Sequence, residues 1–513
     1  MSASRHGGSL RRGTSFVVLL SYLSGCSSWG THQGTPQELI EAKHPSVVRV
    51  TRVDGSRVEL TGPILRSDTL LGLRKGAAAR DSAASLVMIP FADIRELAVS
   101  RFDAGKTIAL TAGIGLAIVL VAAAADCCGP DFQNTDSLKS SPLVYSWDGH
   151  TWRLDSGTFA GAITEGAARA DVDNLLYAVP KRGTLRLRVA NELQETDYLD
   201  ALVVLAVDHD PAIGVAPGGD GRLFSVGRLV PPARATDLAG RDALAAVRAA
   251  DSVGWESVAT GRDPAAPGDV RDGLELAFPR RGAMRARLVV DAQNTPWVPA
   301  MLTAFVTMHG RATPAWYHSL DTRPAKLQEF GAMMAREGFL QVSVWSGDRW
   351  LLRGAIGAPG PELAKRQVLP LDLTGLDGDT VRIRLESAPS FWWIDHVALD
   401  PSDERPMRVR TLDPVAATDA GGRDVLPLLT QVDRRYYTME TGDAAELRFQ
   451  VPPVPAGQAR SYLVRSTGWY RIRAAAEGEP EVALLDRLLA EPSAGSRFSV
   501  ERMNHVLRAA GER

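Results

Sequence analysis

The chain has 513 residues, enough for two to four domains, and its 45% hydrophobic content is ordinary for globular protein. A formal net charge of −2 without a basic stripe excludes nucleic acid as the main partner. Only three cysteines occur, and two of them, Cys127 and Cys128, are adjacent. That excludes a disulfide framework and a zinc site of spaced thiolates, so stability must come from buried area.

At the N-terminus, Arg5, Arg11 and Arg12 precede an apolar stretch, Phe16-Val17-Val18-Leu19-Leu20, continued by Tyr22 and Leu23. It is too short to span a bilayer, which takes about 20 apolar residues, and has the form of a secretory signal peptide. It ends in Leu23-Ser24-Gly25-Cys26, which resembles the lipobox of bacterial lipoproteins. The resemblance implies removal of residues 1–25, recognition through Leu23, Ser24 and Gly25, and acylation of Cys26. It therefore implies a lipid-anchored protein of the cell envelope. Ser27 follows the cysteine where an aspartate would favour the inner membrane, so the enteric sorting rule favours the outer membrane. Cleavage takes three arginines and no acid from 58 basic and 60 acidic residues, leaving −5.

Residues 26–43 read as a tether, with Gly30, Gly34 and Pro36 among polar neighbours. Residues 44–103 supply five short strands, at 47–53, 57–60, 70–73, 85–89 and 91–99. Their density predicts a small SH3-like or Sm-like barrel without a catalytic constellation. Residues 107–125 then run 19 positions without a charge and include eight Ile, Leu or Val. Ala109, Gly113 and Ala117 repeat at the small-xxx-small spacing that lets helices approach closely. The run predicts a hydrophobic helix in contact with the membrane, a buried Ala-rich helix being the alternative.

Arg95, Arg101 and Lys106 precede that segment and only Lys139 follows closely. The positive-inside rule would put the N-terminal side in the cytoplasm, whereas lipidation puts it outside. A re-entrant or self-associated helix, a true span and a false lipobox each resolve the conflict. The first keeps the whole mature chain outside and is the arrangement favoured here.

After a linker at 126–142, the chain reads as mainly β: a β-rich domain at 143–310, a second at 311–400, and a C-terminal β segment at 401–513. These are expected to be sandwich-like, with a few peripheral helices. Residues 143–154 predict a hairpin whose turn is Asp148-Gly149, placing Tyr145, Trp147, His150 and Trp152 on one face. Residues 184–189 alternate strictly, and 201–207 form a continuous apolar strand suited to burial on both faces. A helix is expected within 240–250, with Leu244 and Val247 inward. An amphipathic helix at 324–337 should turn Leu327, Phe330 and Met334 to the core, with Gly338 as its cap. Further strands fall at 340–345, 368–373, 380–385 and 391–399, and short helices near 480–490 and 499–510.

Residues 143–210 resemble an uncharacterised β-rich domain of exported bacterial proteins, a resemblance that carries no activity. The strand order over about 315–400, ending in Trp393-Ile394-Asp395-x-Val397-x-Leu399, resembles a galactose-binding-like jelly roll.

Glu192, Glu195, Asp197, Asp200, Asp208 and Asp210 offer oxygen ligands of the kind Ca²⁺ takes, with Glu192, Glu195, Asp200 and Asp208 as the core set. The spacing matches neither an EF-hand nor an RTX loop, and turn capping or ion pairs with Arg186 and Arg188 explain the same acids. His209 between two aspartates has the setting of an oriented base or of a strand-end hydrogen-bond knot. Trp147-x-Gly149-x-x-Trp152 is echoed in Trp345-x-Gly347-x-x-Trp350. Such tryptophans stack on sugar rings or lock cross-strand packing. No Gly-x-Ser-x-Gly, His-Glu-x-x-His or P-loop motif occurs.

Three functions remain open at this point. The first is an envelope lipoprotein that binds or scaffolds glycan or protein without catalysis. The second is a glycan hydrolase using carboxylates such as Glu192 or Asp395. The third is a structural lipoprotein that self-associates through its Gly/Ala helix.

Overall fold

The computed structural model describes residues 28–31, 47–54, 56–66, 69–74, 86–101, 142–258, 262–376 and 378–511. The signal peptide, Leu23, Ser24, Gly25, Cys26, the 107–125 segment and the paired cysteines lie outside the described residues. Among the described residues no helix is long and apolar enough to cross a membrane. The chain divides into two compact units, residues 1–117 and 118–513. Both are built mainly from β-strands.

The described residues of the first unit form one antiparallel sheet: β1 (Ser28–Thr31), β2 (Val47–Arg52), β3 (Arg57–Arg66), β4 (Thr69–Arg74), β5 (Leu86–Pro90) and β6 (Ile94–Arg101) in the order β1-β6-β2-β3-β4-β5. Alternation explains it: Val48, Val50, Val58 and Leu60 turn inward with Leu70, Ile89 and Leu97, while Arg49 pairs across to Glu59 at 2.6 Å on the other face. The five expected strands are present. Among the described residues no pairing joins β1 to β5. Residues 28–31, expected within the tether, form its edge strand because they pair with β6.

The second unit holds two β-sandwiches of the same topology, one split by the insertion of the other. The split sandwich uses β7 (Leu143–Trp147), β8 (Trp152–Gly157), β9 (Arg169–Leu175), β10 (Thr184–Ala190) and β11 (Glu195–His209), completed by β23 (Arg408–Leu412), β24 (Pro414–Asp419), β25 (Tyr437–Met439), β26 (Ala444–Gln450) and β27 (Ala459–Ile472). Its sheets run β24-β26-β10-β7-β8 and β23-β11-β27-β9, with β25 on β11. The inserted sandwich uses β14 (Arg234–Asp237), β15 (Trp255–Glu256), β16 (Asp272–Pro279), β17 (Arg285–Asn294), β18 (Leu340–Ser346), β19 (Arg349–Ile356), β20 (Lys365–Asp372), β21 (Thr380–Ser387) and β22 (Trp392–Asp400). Its sheets run β14-β16-β21-β18-β19 and β15-β22-β17-β20. The five-stranded orders coincide strand for strand, and in the four-stranded sheets β22-β17-β20 repeats β11-β27-β9. The chain writes the second half of the fold, then a whole copy, then the missing first half.

Matching side chains make the same bonds. In Ala235-Thr236-Asp237 and Ala417-Thr418-Asp419 the aspartate accepts the backbone N–H four residues on and pairs with that arginine, Arg241 or Arg423. Next, Asp242 and Asp424 cap Leu244 and Leu426. On β11 and β22, Asp200 and Asp395 both sit at the bulge against β27 or β17. Asp200 accepts the N–H groups of Asp433 and Arg434, and Asp395 those of Asp251 and Ser252. Arg434 and Ser252 share a left-handed φ of 64°.

Sheet pairing thus cuts across the expected segments 143–310, 311–400 and 401–513. Facing sheets share one core in each sandwich, around Leu187, Val204, Leu447 and Val464 in the split copy and Leu276, Leu288, Ile383 and Val397 in the inserted one. The hairpin of β12 (Gly214–Pro217) and β13 (Leu223–Val226) lies between the two four-stranded sheets. Its Val215 packs with Val203, Val207 and Leu463 of the split copy, while Phe224 and Val226 pack with Val289 and Val368 of the inserted copy. The five-stranded sheets therefore face outward.

Helix α1 (Leu244–Val247) buries Val247 as expected. Helices α2 (Trp297–Thr307), α3 (Thr313–Thr322) and α4 (Pro324–Glu337) follow β17 yet bury Phe305, Leu320 and Phe330 in the split core. Helices α5 (Val482–Ala490) and α6 (Ala494–Gly511) end the described chain, and Val500 and Met503 of α6 enter the inserted core. On α4 the most buried positions are Phe330, Met333 and Glu337, a rotation from the expected Leu327–Phe330–Met334 face. Its cause is Glu337, which accepts bonds from Ser493 N, Ser496 N and Ser496 Oγ. Gly338 caps the helix as expected.

Candidate binding face

The outward faces of the five-stranded sheets carry the repeated tryptophans. On β7 and β8, Trp147 and Trp152 are cross-strand partners, so the turn is Gly149-His150, one residue beyond the expected Asp148-Gly149. Asp148 causes this shift by accepting the N–H groups of His150 and Thr151, while Gly149 takes φ +100°. His150 is consequently in the exposed turn and not on the sheet face.

The rings of Trp147 and Trp152 meet edge to face at 5.3 Å. Arg186 of β10 places its guanidinium 4.8 and 5.1 Å from them and pairs with Glu446 of β26 at 3.0 Å. Beside this row, Tyr145 Oη donates to Glu192 Oε1 at 2.7 Å, and burial with that carboxylate pushes the phenol up.

The inserted sandwich repeats the row. Trp345 and Trp350 meet edge to face at 5.2 Å. Arg382 of β21 lies 4.7 and 5.3 Å from the rings and 3.5 Å from Glu275 of β16. All four tryptophans are half-buried, which leaves part of each indole open on a flat sheet face.

The expected Ca²⁺ ligands are brought to no common point. Glu195 and Asp208 lie at opposite ends of β11, roughly 40 Å apart at strand rise. Asp208 accepts Arg460 Nε at 2.5 Å and Nη2 at 2.9 Å, which holds its carboxyl below the usual range. Asp210 pairs with Arg405 at 2.7 Å, Asp200 is taken by the bulge, and Glu192 by Tyr145. Glu195 and Asp197 are buried, and burial pushes Asp197 well above the usual carboxylate range. No group of three or more His, Cys, Asp or Glu among the described residues could hold a metal ion. A periodic strand separates acids that look clustered in one-dimensional sequence.

His209 is tied at both ring nitrogens, to the Asp210 carbonyl and to Ser461 Oγ, each at 2.9 Å. This is the hydrogen-bond knot. Glu192 is exposed beside the split sandwich, whereas Asp395 is buried in the inserted one, so the two acids belong to different sandwiches.

Sequence reasoning found the tryptophans and named Arg186 only as an ion-pair partner of the 192–210 acids, missing its place, and that of Arg382, beside the indoles. The signal was available in Thr184-Leu185-Arg186-Leu187-Arg188-Val189 and Thr380-Val381-Arg382-Ile383-Arg384-Leu385, which match in residue type throughout. Comparison with known families and with curated proteins found no family model and no sequence that matches the chain.

Proposed function

We propose that this protein is a non-catalytic lipoprotein of the cell envelope that binds glycan through the tryptophan faces of its two sandwiches. The observation carrying the reading is the repeated, outward row of two tryptophans and a stacked arginine on both copies. An indole left open on a flat sheet matches the apolar face of a sugar ring, and a neighbouring guanidinium supplies donors for hydroxyls. The hydrolase alternative lacks support: Glu192 is bonded to Tyr145, and Asp395 is buried.

The anchor in this reading is acylated Cys26, with the outer membrane favoured and residues 107–125 touching the membrane while the mature chain stays outside. Two finer fold readings accompany it. The antiparallel order β2-β3-β4-β5 with β6 supports a small SH3-like or Sm-like barrel for residues 44–103. The two-sheet packing supports a galactose-binding-like jelly roll around residues 315–400.

Two measurements test the proposal. Clickable palmitate should label wild type and not Cys26→Ala, and an unlabelled wild type would contradict the anchor. Sedimentation with insoluble polysaccharides should retain the mature chain, and Trp152→Ala/Trp350→Ala should not be retained. Equal retention of wild type and variant would contradict the binding face.

A further inference from the structure

We infer that the split sandwich takes an acidic glycan, a sugar chain bearing carboxylate or phosphate, along its outward five-stranded sheet. This rests on the glycan reading above and specifies the ligand's chemistry.

The argument comes from the two copies differing in charge at matched positions. On the split face, Arg188 of β10 and Arg448 of β26 form no ion pair among the described residues, and Arg448 is exposed. They border a groove of about 540 Å³ floored by Ala416, Thr418 and Ala445. A second groove of about 410 Å³ adjoins Trp147 and Arg186 and is edged by Lys181 and Arg182. Those two cations sit on a tight turn in which Lys181 and Thr184 exchange backbone hydrogen bonds. The acids beside the first groove are already engaged: Glu446 by Arg186, and Asp419 by its own turn and Arg423.

The inserted face carries a smaller surplus, with Arg234 opposite Ala277 where the split copy has Arg448 opposite Ala416. Arg384, which matches Arg188, is held by Glu275 at 2.6 Å and faces Glu386 at 3.9 Å. Ala277 stands where Arg448 does. The sequence before β21 reads Asp377-Gly378-Asp379 where the split copy has Lys181-Arg182-Gly183. Arg234, beside a smaller groove of about 230 Å³, forms no ion pair among the described residues. Cations flanking open indoles on a chain of net negative charge select a ligand that is both ringed and anionic.

Affinity electrophoresis of the mature chain through gels containing polygalacturonate, phosphomannan, neutral dextran or single-stranded DNA tests this. Retardation by either acidic glycan should exceed that by dextran at least tenfold and weaken with salt, and which acidic polymer acts more strongly identifies the anion. Arg188→Gln/Arg448→Gln should lose most of the retardation, whereas Arg234→Gln should change it less than twofold, with unchanged melting temperatures showing that both variants fold. Retardation by dextran equal to that by the acidic glycans would overturn the acidic ligand and leave glycan binding standing. No retardation by any glycan would overturn both, and equal retardation by DNA would overturn the acidic-glycan ligand in favour of unspecific polyanion binding.

Discussion

The split and inserted sandwiches share topology, turns and the tryptophan row, yet they place their polar residues differently. Where the split copy buries Asp197, the matching position of the inserted copy is Trp392, fully buried and donating Nε1 to Gly338 O at 3.0 Å. Where the split copy has the buried pair Arg460–Asp208, the inserted copy has exposed Met284 and exposed Asp403. Conversely, the inserted copy alone holds Asp291 between Arg366 at 2.7 Å and His396 at 3.0 Å. The topology and the aspartate-capped turns are kept by both copies because the fold requires them; a polar residue that only one keeps is a candidate for function or for local packing.

The largest expected effect is at Arg460. Replacing it with Met strands the Asp208 carboxylate, which is fully buried, and should lower unfolding free energy by about 3–5 kcal/mol in urea titration. The matching change Met284→Arg is exposed and should be near neutral. Equal costs would break the comparison at this position.

Asp200→Asn and Asp395→Asn come next. Each weakens the acceptor of two backbone N–H groups at a bulge, so each should cost about 1–3 kcal/mol, and the two should agree. A loss at one site only would mean the bulges are not equivalent.

Asp197 gives a pH test confined to the split copy. Its folded-state pKa lies above the unfolded value, so its contribution is present below about 4 and lost as pH rises through the folded-state value. Asp197→Asn should therefore gain stability over wild type as pH increases from acid to neutral, read as a growing difference in Tm. A constant difference would contradict the buried, proton-holding carboxyl. The smallest expected effect is on packing at the rows: Trp152→Ala and Trp350→Ala should each lose roughly 1–2 kcal/mol of aromatic and cation–π contact in the same urea titration.

Much of the local structure was legible in sequence. Strict alternation at 184–189 marked a strand with leucines in and arginines out, and Gly338 marked the end of α4. The continuous apolar run at 201–207 marked β11, whose two faces meet the split core and the β12–β13 hairpin. The sandwiches themselves were not legible, because β10 pairs with β26 across about 260 residues of chain. The duplication was hidden for the same reason: interleaving places matched halves out of tandem order, so Ala235-Thr236-Asp237 and Ala417-Thr418-Asp419 fall in segments that read as unrelated. The acids around 192–210 misled because spacing along a strand translates into distance, not convergence.

The decisive comparison is polygalacturonate retardation of Trp152→Ala beside Trp350→Ala. Both remove an indole from the same row, and the first belongs to the face with more cations that form no ion pair among the described residues. The duplicated fold with a single acidic-glycan face predicts strong loss for Trp152→Ala and little for Trp350→Ala. Equal loss, or loss only for Trp350→Ala, would contradict it.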